Sequence, residues 1–271
     1  MWRYVIQNEN FNAGILPLRY NTIFLFQDLH MVSYIQLFGE RCSGTNFVLS
    51  LVTQNFKHVA ITTEFGGKHW FLKDHFPRCR ANQTTDAECI RSLQENSSDT
   101  LFLCVFRNPF DWLRSLHERP YHASNHGGIS ITQFIRKPWL SFERYPANRH
   151  WPQRDDGFWF IEEALNILRL RSMKIEHLLN LRDRVENFYL INYETLLADN
   201  EYLTSIANDF EIELNNPTIT GEKRYLGRVA GTEFSPTSYP KFPDHDIEYI
   251  FQELDWELEQ AIGYSQTDYQ T

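Results

Sequence analysis

The chain has no apolar run of the roughly 18 residues that a membrane-spanning helix needs, and no basic head followed by an apolar stretch at its start. A helical membrane span and a secretory leader are therefore not expected, and the sequence reads as soluble and cytoplasmic. A basic excess is missing too: the net charge is −9 and the isoelectric point near 5.6, which argues against nucleic acid or an anionic membrane as a broad partner. Cysteine is sparse. The four thiols, Cys42, Cys79, Cys89 and Cys104, follow no metal-ligand spacing. Cys104 lies in an apolar run and reads as a reduced core thiol, while pairing of Cys79 with Cys89 across a polar loop is the less favoured reading. The Asn-x-Ser/Thr triplets at Asn82 and Asn96 matter only in a secretory lumen. Internal repeats, low-complexity blocks and heptads are also absent.

What is present is enough apolar and aromatic residue, 42% and 15% of 271, for one sizeable core. Residues 31–271 read as one domain. The first thirty have no clear period before the chain restarts at Met31, so they are either a genuine N-terminal extension or a start assigned too early. Four short β-rich runs stand out: "VSYIQLF" at 32–38, "HVAITT" at 58–63, "TLFLCVF" at 100–106 and "NFYLINY" at 187–193. Helical patterns follow the first and third, with Ser43 or Thr45 as a cap for the first and Pro109 at the first position of the second. Further helices are expected at 157–181, 199–210 and 244–262. Strands alternating with helices predict an α/β fold with a mostly parallel sheet. The segments 121–152 and 215–243, rich in turn-forming residues, are candidates to cover a site at the carboxyl ends of the strands.

Within the acidic whole, residues 107–154 hold eight Lys/Arg against three Asp/Glu, together with His117, His122, His126 and His150. This is a local field for an anion. Two motifs share that chemistry. In "FGERCSGTNF", Gly39 and Gly44 have the G-x-x-x-x-G spacing between a strand and a helix, where successive backbone amides and the helix N-terminus can cradle a phosphate. A nucleotide triphosphatase would continue Gly-Lys-Ser/Thr, but Thr45 and Asn46 stand here, and the third strand runs into Arg107 and Asn108 rather than an acidic magnesium ligand. In "FRNPFDWLRS", Arg107 ends a strand and Ser115 follows eight residues later, a guanidinium fork and a hydroxyl for a second phosphate.

Together the two motifs resemble the sulfotransferase family: "RCSGTNF" is similar to its 5′-phosphosulfate loop and "FRNPFDWLRS" to its 3′-phosphate motif. "NFYLINYETLLADNEYLTSIANDFEIEL" resembles the family's strand, Tyr-Glu-Asp-Leu-type turn and helix, with Thr195 where Asp is frequent, and "LEQAIGY" its last helix. The resemblance spans roughly residues 32–264. It implies a three-layer α/β/α fold of P-loop nucleotide-kinase type, 3′-phosphoadenosine 5′-phosphosulfate as donor, and metal-independent in-line transfer to a hydroxyl or amine of a carbohydrate or small metabolite. By position, Arg41, Cys42, Ser43, Gly44, Thr45 and Asn46 would meet the phosphosulfate, and Arg107 and Ser115 the 3′-phosphate. Many members carry Lys where this chain has Cys42, so the cation that assists the leaving group must be Arg41 or come from elsewhere.

Family enzymes commonly place a Lys and a His or Glu base just beyond the second strand. "GGKHWF" offers Lys68 and His69, closest to that strand, and these form the candidate catalytic pair. "FLKDHFP" offers Lys73 and His75, similar to the Lys-x-His-x-Pro pattern of the small-molecule branch, as the alternative. His122 faces either the acceptor or solvent. Lys223 and Arg224 lie where family members often close a basic loop over the 3′-phosphate. A phosphoryl-transfer kinase and a non-catalytic nucleotide-binding protein of the same fold are the rival readings.

Overall fold

A computed structural model describes residues 31–69, 93–95, 97–121, 123, 126–144, 158–199, 201–216, 219 and 238–269. In chain order its elements are β1 (Tyr34–Gly39), α1 (Thr45–Asn55), β2 (Ala60–Thr62), β3 (Thr100–Phe106), α2 (Pro109–Glu118), α3 (Ile131–Arg136), β4 (Trp139–Arg144) and β5 (Phe158–Ala164). Then come α4 (Ile167–Arg182), β6 (Asn187–Asn192), α5 (Tyr193–Ala198), α6 (Glu201–Asp209), α7 (Asp244–Glu253), α8 (Trp256–Ala261) and a closing 3-10 turn.

All four apolar runs singled out in the sequence are strands of one sheet, in the order β2-β1-β3-β6, and every pairing is parallel. The alternation of side chains sorts them onto two faces. Ile35, Leu37, Leu101, Leu103, Val105 and Ile191 pack against Val48, Leu51 and Val52 of α1 and Leu203 and Ile206 of α6. Phe38, Phe102, Cys104 and Phe106 face the other way, against Ile175, Leu178 and Leu181 of α4 and Ile262 beyond α8. With helices over both faces, β3 is buried along its whole length, which is why it reads as an unbroken apolar run. Truncating one of its large side chains, such as Phe102 or Leu103, to Ala costs about 2–5 kcal/mol. Cys104 is a free, fully buried thiol, as its setting in the sequence requires.

The helices needed more correction. Neither Ser43 nor Thr45 caps α1: its N-cap is Gly44 in left-handed backbone, φ 94°, with no side-chain cap. In α2, Pro109 does open the helix, and the Asn108 side chain accepts from the amides of Phe110 (2.9 Å) and Asp111 (3.2 Å). The helix expected at 157–181 starts ten residues later. "FWFIEEA" is instead β5, antiparallel to β4, because aromatic and β-branched residues meet a partner strand there, and Asn166 caps α4 through the Arg169 amide. The 199–210 helix is found as α6, preceded by the short α5, and the 244–262 helix breaks at Leu254, where Asp255 caps α8. Residues 121–152, read as a long connection, contain α3 and β4.

The strand order fixes where a ligand is met. From β1 the chain passes through α1 to β2 on one side, and β3 returns to the other side of β1. The crevice outside the carboxyl ends of β1 and β3 is thus the switch point of the sheet, the usual place for a ligand in open α/β proteins. Residue 40 onward leaves β1 there, and Arg107 leaves β3 beside it.

Candidate functional site at the sheet switch point

Gly39 ends β1 where no side chain fits: a Cβ would lie 2.7 Å from Thr45 Cγ2 and 2.8 Å from both Ser43 Oγ and the Val105 carbonyl. Beyond it the loop alternates in hand. Cys42 (φ 64°) and Gly44 (φ 94°) are left-handed with Ser43 between them on the ordinary side, the backbone pattern of an anion nest. The Ser43 hydroxyl donates to the Glu40 carbonyl at 2.6 Å and so braces the turn. Among the described residues nothing accepts from the amides of Cys42, Gly44 or Thr45. These donors, with the first turn of α1 behind them, favour negative charge.

Residues 68 and 69 lie against this loop. The Gly39 amide donates to the Lys68 carbonyl at 2.8 Å, and His69 Nδ1 meets the Gly39 carbonyl at 2.8 Å. A carbonyl only accepts, so Nδ1 carries the proton and Nε2 keeps its lone pair. Burial pushes the His69 imidazole down, the Arg41 charge adds to this, and the group sits at about 3. It is therefore neutral at physiological pH. The Lys68 ammonium donates to the Asn46 side chain in the first turn of α1, and burial lowers its pKa.

Beneath the loop is a buried charge cluster. Glu40 accepts from the Arg41 guanidinium at 2.8 Å with one oxygen and pairs with Lys174 of α4 through the other. Burial alone would raise its carboxyl, but Lys174 and Arg41 outweigh that and hold it at about 2. Lys174 also donates to the His69 carbonyl at 2.7 Å, and the Trp112 indole donates to the Arg41 carbonyl at 2.8 Å. Arg41 is engaged in this cluster.

On the β3 side, Arg107 Nη1 donates to the Cys42 carbonyl at 3.2 Å. Its guanidinium lies 5.1 Å from the centre of the Tyr193 ring and 5.9 Å from that of Tyr239. Its buried Nε has no hydrogen-bond partner among the described residues. Tyr193 in turn lies over Gly44, where an added Cβ would come within 2.2 Å of the ring. The Cys42 thiol points away from the nest toward α2, with Sγ 3.7 Å from the Ser115 carbonyl. Burial pushes that thiol up to about 11, so it is neither a thiolate nor a substitute for a lysine.

Of the sequence-derived residues, Arg41 to Asn46, Lys68 and His69 surround the end of β1, and Arg107 meets the loop through its guanidinium, whereas Ser115 meets Cys42 through its backbone carbonyl alone. A pocket has Ser43, Lys68, His69 and Arg107 in its wall, with Arg171 and Lys174 of α4 and apolar lining that includes Phe106 and Leu178. Sequence reasoning missed Glu40, Tyr193, Arg171 and Lys174. The available signal was weak: Arg171 and Lys174 are three apart on one helix face, and Tyr193-Glu194 was noted only as part of a turn. Lys73, His75, Cys79, Cys89, Asn82, Asn96, His122, Lys223, Arg224 and the first thirty residues lie outside the described residues. Among the described residues no helix is long and apolar enough to cross a membrane. Compared with protein-family models, with curated proteins and with solved structures, the chain matches none.

Proposed function

We propose that the chain is a sulfotransferase of three-layer, P-loop nucleotide-kinase-like fold, using 3′-phosphoadenosine 5′-phosphosulfate as donor to a hydroxyl or amine of a carbohydrate or small metabolite. The observation that carries this reading is the pairing of two anion-binding elements across one switch point. The loop nest at 42–45 and the spare donor of Arg107 are linked by the bond to the Cys42 carbonyl. A nucleotide with phosphate at both ends suits such a pair. The donor supplies an activated sulfuryl group; the chain supplies position, charge and a proton acceptor.

In this reading the amides of Cys42, Gly44 and Thr45 hold the phosphosulfate, and Arg107 and Ser115 hold the 3′-phosphate. Lys68 stands at the mouth of the loop, on Asn46, and supplies the cation that Cys42 does not. Arg41, committed to Glu40, acts at a distance. His69 Nε2 takes the acceptor proton as the sulfur–oxygen bond to the donor breaks and the bond to the acceptor forms. A pKa of about 3 makes it a weak base, and the negative charge of a bound donor raises it. A kinase reading is less well supported, because Asn46 replaces the magnesium-binding hydroxyl and Arg107 and Asn108 follow β3 in place of a carboxylate.

The test is calorimetric titration of 3′,5′-adenosine bisphosphate without magnesium. Arg107→Ala removes a charge-assisted contact and should weaken binding by about 1.5–3 kcal/mol, roughly 10- to 150-fold. Wild-type protein that does not bind the bisphosphate would sink the reading. Tight binding without turnover on any acceptor would leave a nucleotide-binding protein of the same fold.

A further inference from the structure

The peptide unit joining Arg107 to Asn108 is held at both of its polar atoms. Its carbonyl accepts from Arg171 Nη2 at 2.9 Å, and its N–H donates to Glu194 Oε1 at 3.0 Å. Each holder is anchored in turn. Arg171 is paired with Glu259 of α8, Nη2 to Oε2 at 2.7 Å, and both side chains are buried. The other oxygen of Glu194 accepts from the Tyr264 hydroxyl at 2.7 Å. Glu259 and Tyr264 are five residues apart in the C-terminal segment, which is tied to the end of β6 by Asn192 Nδ2 donating to the Ile262 carbonyl at 2.8 Å.

We infer that Glu259 and Tyr264 are positioning residues for Arg107, so that the C-terminal segment sets the aim of the guanidinium that meets the 3′-phosphate. A peptide unit is planar, and fixing its C=O and N–H fixes its orientation. That orientation sets the direction in which the Arg107 side chain leaves β3 and, through Asn108, the start of α2, which carries Ser115. Two relays with separate chemistry, one a buried ion pair and one a hydroxyl on a carboxylate, converge on this plane from one short segment. Holding α4 and α8 together would need neither the Arg107 carbonyl nor the Asn108 amide. The inference rests on the two-phosphate reading above.

The experiment compares two probes by calorimetry, 3′,5′-adenosine bisphosphate and adenosine 5′-phosphate, on wild type, Tyr264→Phe, Arg107→Ala and the double variant. Loss of one hydrogen bond in the relay should weaken the bisphosphate by about two- to tenfold and leave adenosine 5′-phosphate unchanged. In the Arg107→Ala background, Tyr264→Phe should have no further effect, as expected for residues acting through one group. Should Tyr264→Phe fail to fold, Glu194→Ala against Glu194→Gln gives the same answer. The amide can still accept from Asn108, so Gln should restore what Ala loses. Equal weakening of both probes, or full additivity in the double variant, overturns the inference and leaves the function standing. Wild type that binds no bisphosphate overturns both.

Discussion

Glu40 serves two cations at once, and replacing it by Gln removes its charge while keeping its shape. The side-chain exposures of Glu40, Arg41 and Lys174 are 9%, 1% and 8%, so water cannot screen the two positive charges that lose their shared carboxylate. Breaking a buried ion pair by removing one partner typically costs about 3–5 kcal/mol. At about 2–4 °C per kcal/mol for a domain approaching this size, the melting temperature at pH 7 should fall by roughly 6–20 °C. The sign of the pH dependence follows from the Glu40 carboxyl being held at about 2, below its ordinary 4.5. Its stabilisation is complete above about pH 4.5 and is lost as pH falls toward 2, so wild type and Glu40→Gln should converge in that window. Thermal unfolding followed by circular dichroism between pH 7 and pH 3 measures both effects. A drop under about 2 °C, or a gap that does not narrow in acid, would refute the claim that this carboxylate balances the cluster.

Two further outcomes are expected. Gly44→Ala forces a side chain into left-handed backbone and into the Tyr193 ring; the backbone term alone is about 1–3 kcal/mol, measurable by denaturant unfolding, and displacing Tyr193 should weaken bisphosphate binding as well. His69 has its folded pKa lowered from 6.5 to about 3, so the unfolded chain takes up a proton that the folded chain refuses. Stability should then decline as pH falls from about 6.5 toward 3, at up to about 1.4 kcal/mol per pH unit. His69→Gln should flatten that decline above pH 4.5, and an unchanged profile would show that His69 is not held neutral.

The sheet was legible because its central strands, β1 and β3, are covered on both faces and so need near-continuous apolar runs, which are visible without knowing what covers them. The turn after β1 and the arginine at the end of β3 were legible because their geometry is local, a glycine pair around a turn and a cation at a strand end. The β4–β5 hairpin was not, since "FWFIEEA" carries no period that excludes a helix and its strand character depends on a partner 14 residues or more away in sequence. Nor was the cluster under the loop. Glu40 reads as an ordinary loop acid until Lys174, 134 positions on, is folded against it, and the hand of Cys42, a residue seldom left-handed, is imposed by the turn rather than signalled by the side chain.

Residues 68 and 69 are fastened to the end of β1 and to α4 through their carbonyl oxygens, atoms that every amino acid possesses. The Gly39 amide meets the Lys68 carbonyl, and Lys174 meets the His69 carbonyl. Their own side chains add the imidazole contact with Gly39 and the Lys68 bond to Asn46. A position secured in this way is open to exchange. The side chain at residue 68 can be changed by mutation, in a laboratory library or by drift, while its backbone register against β1 survives.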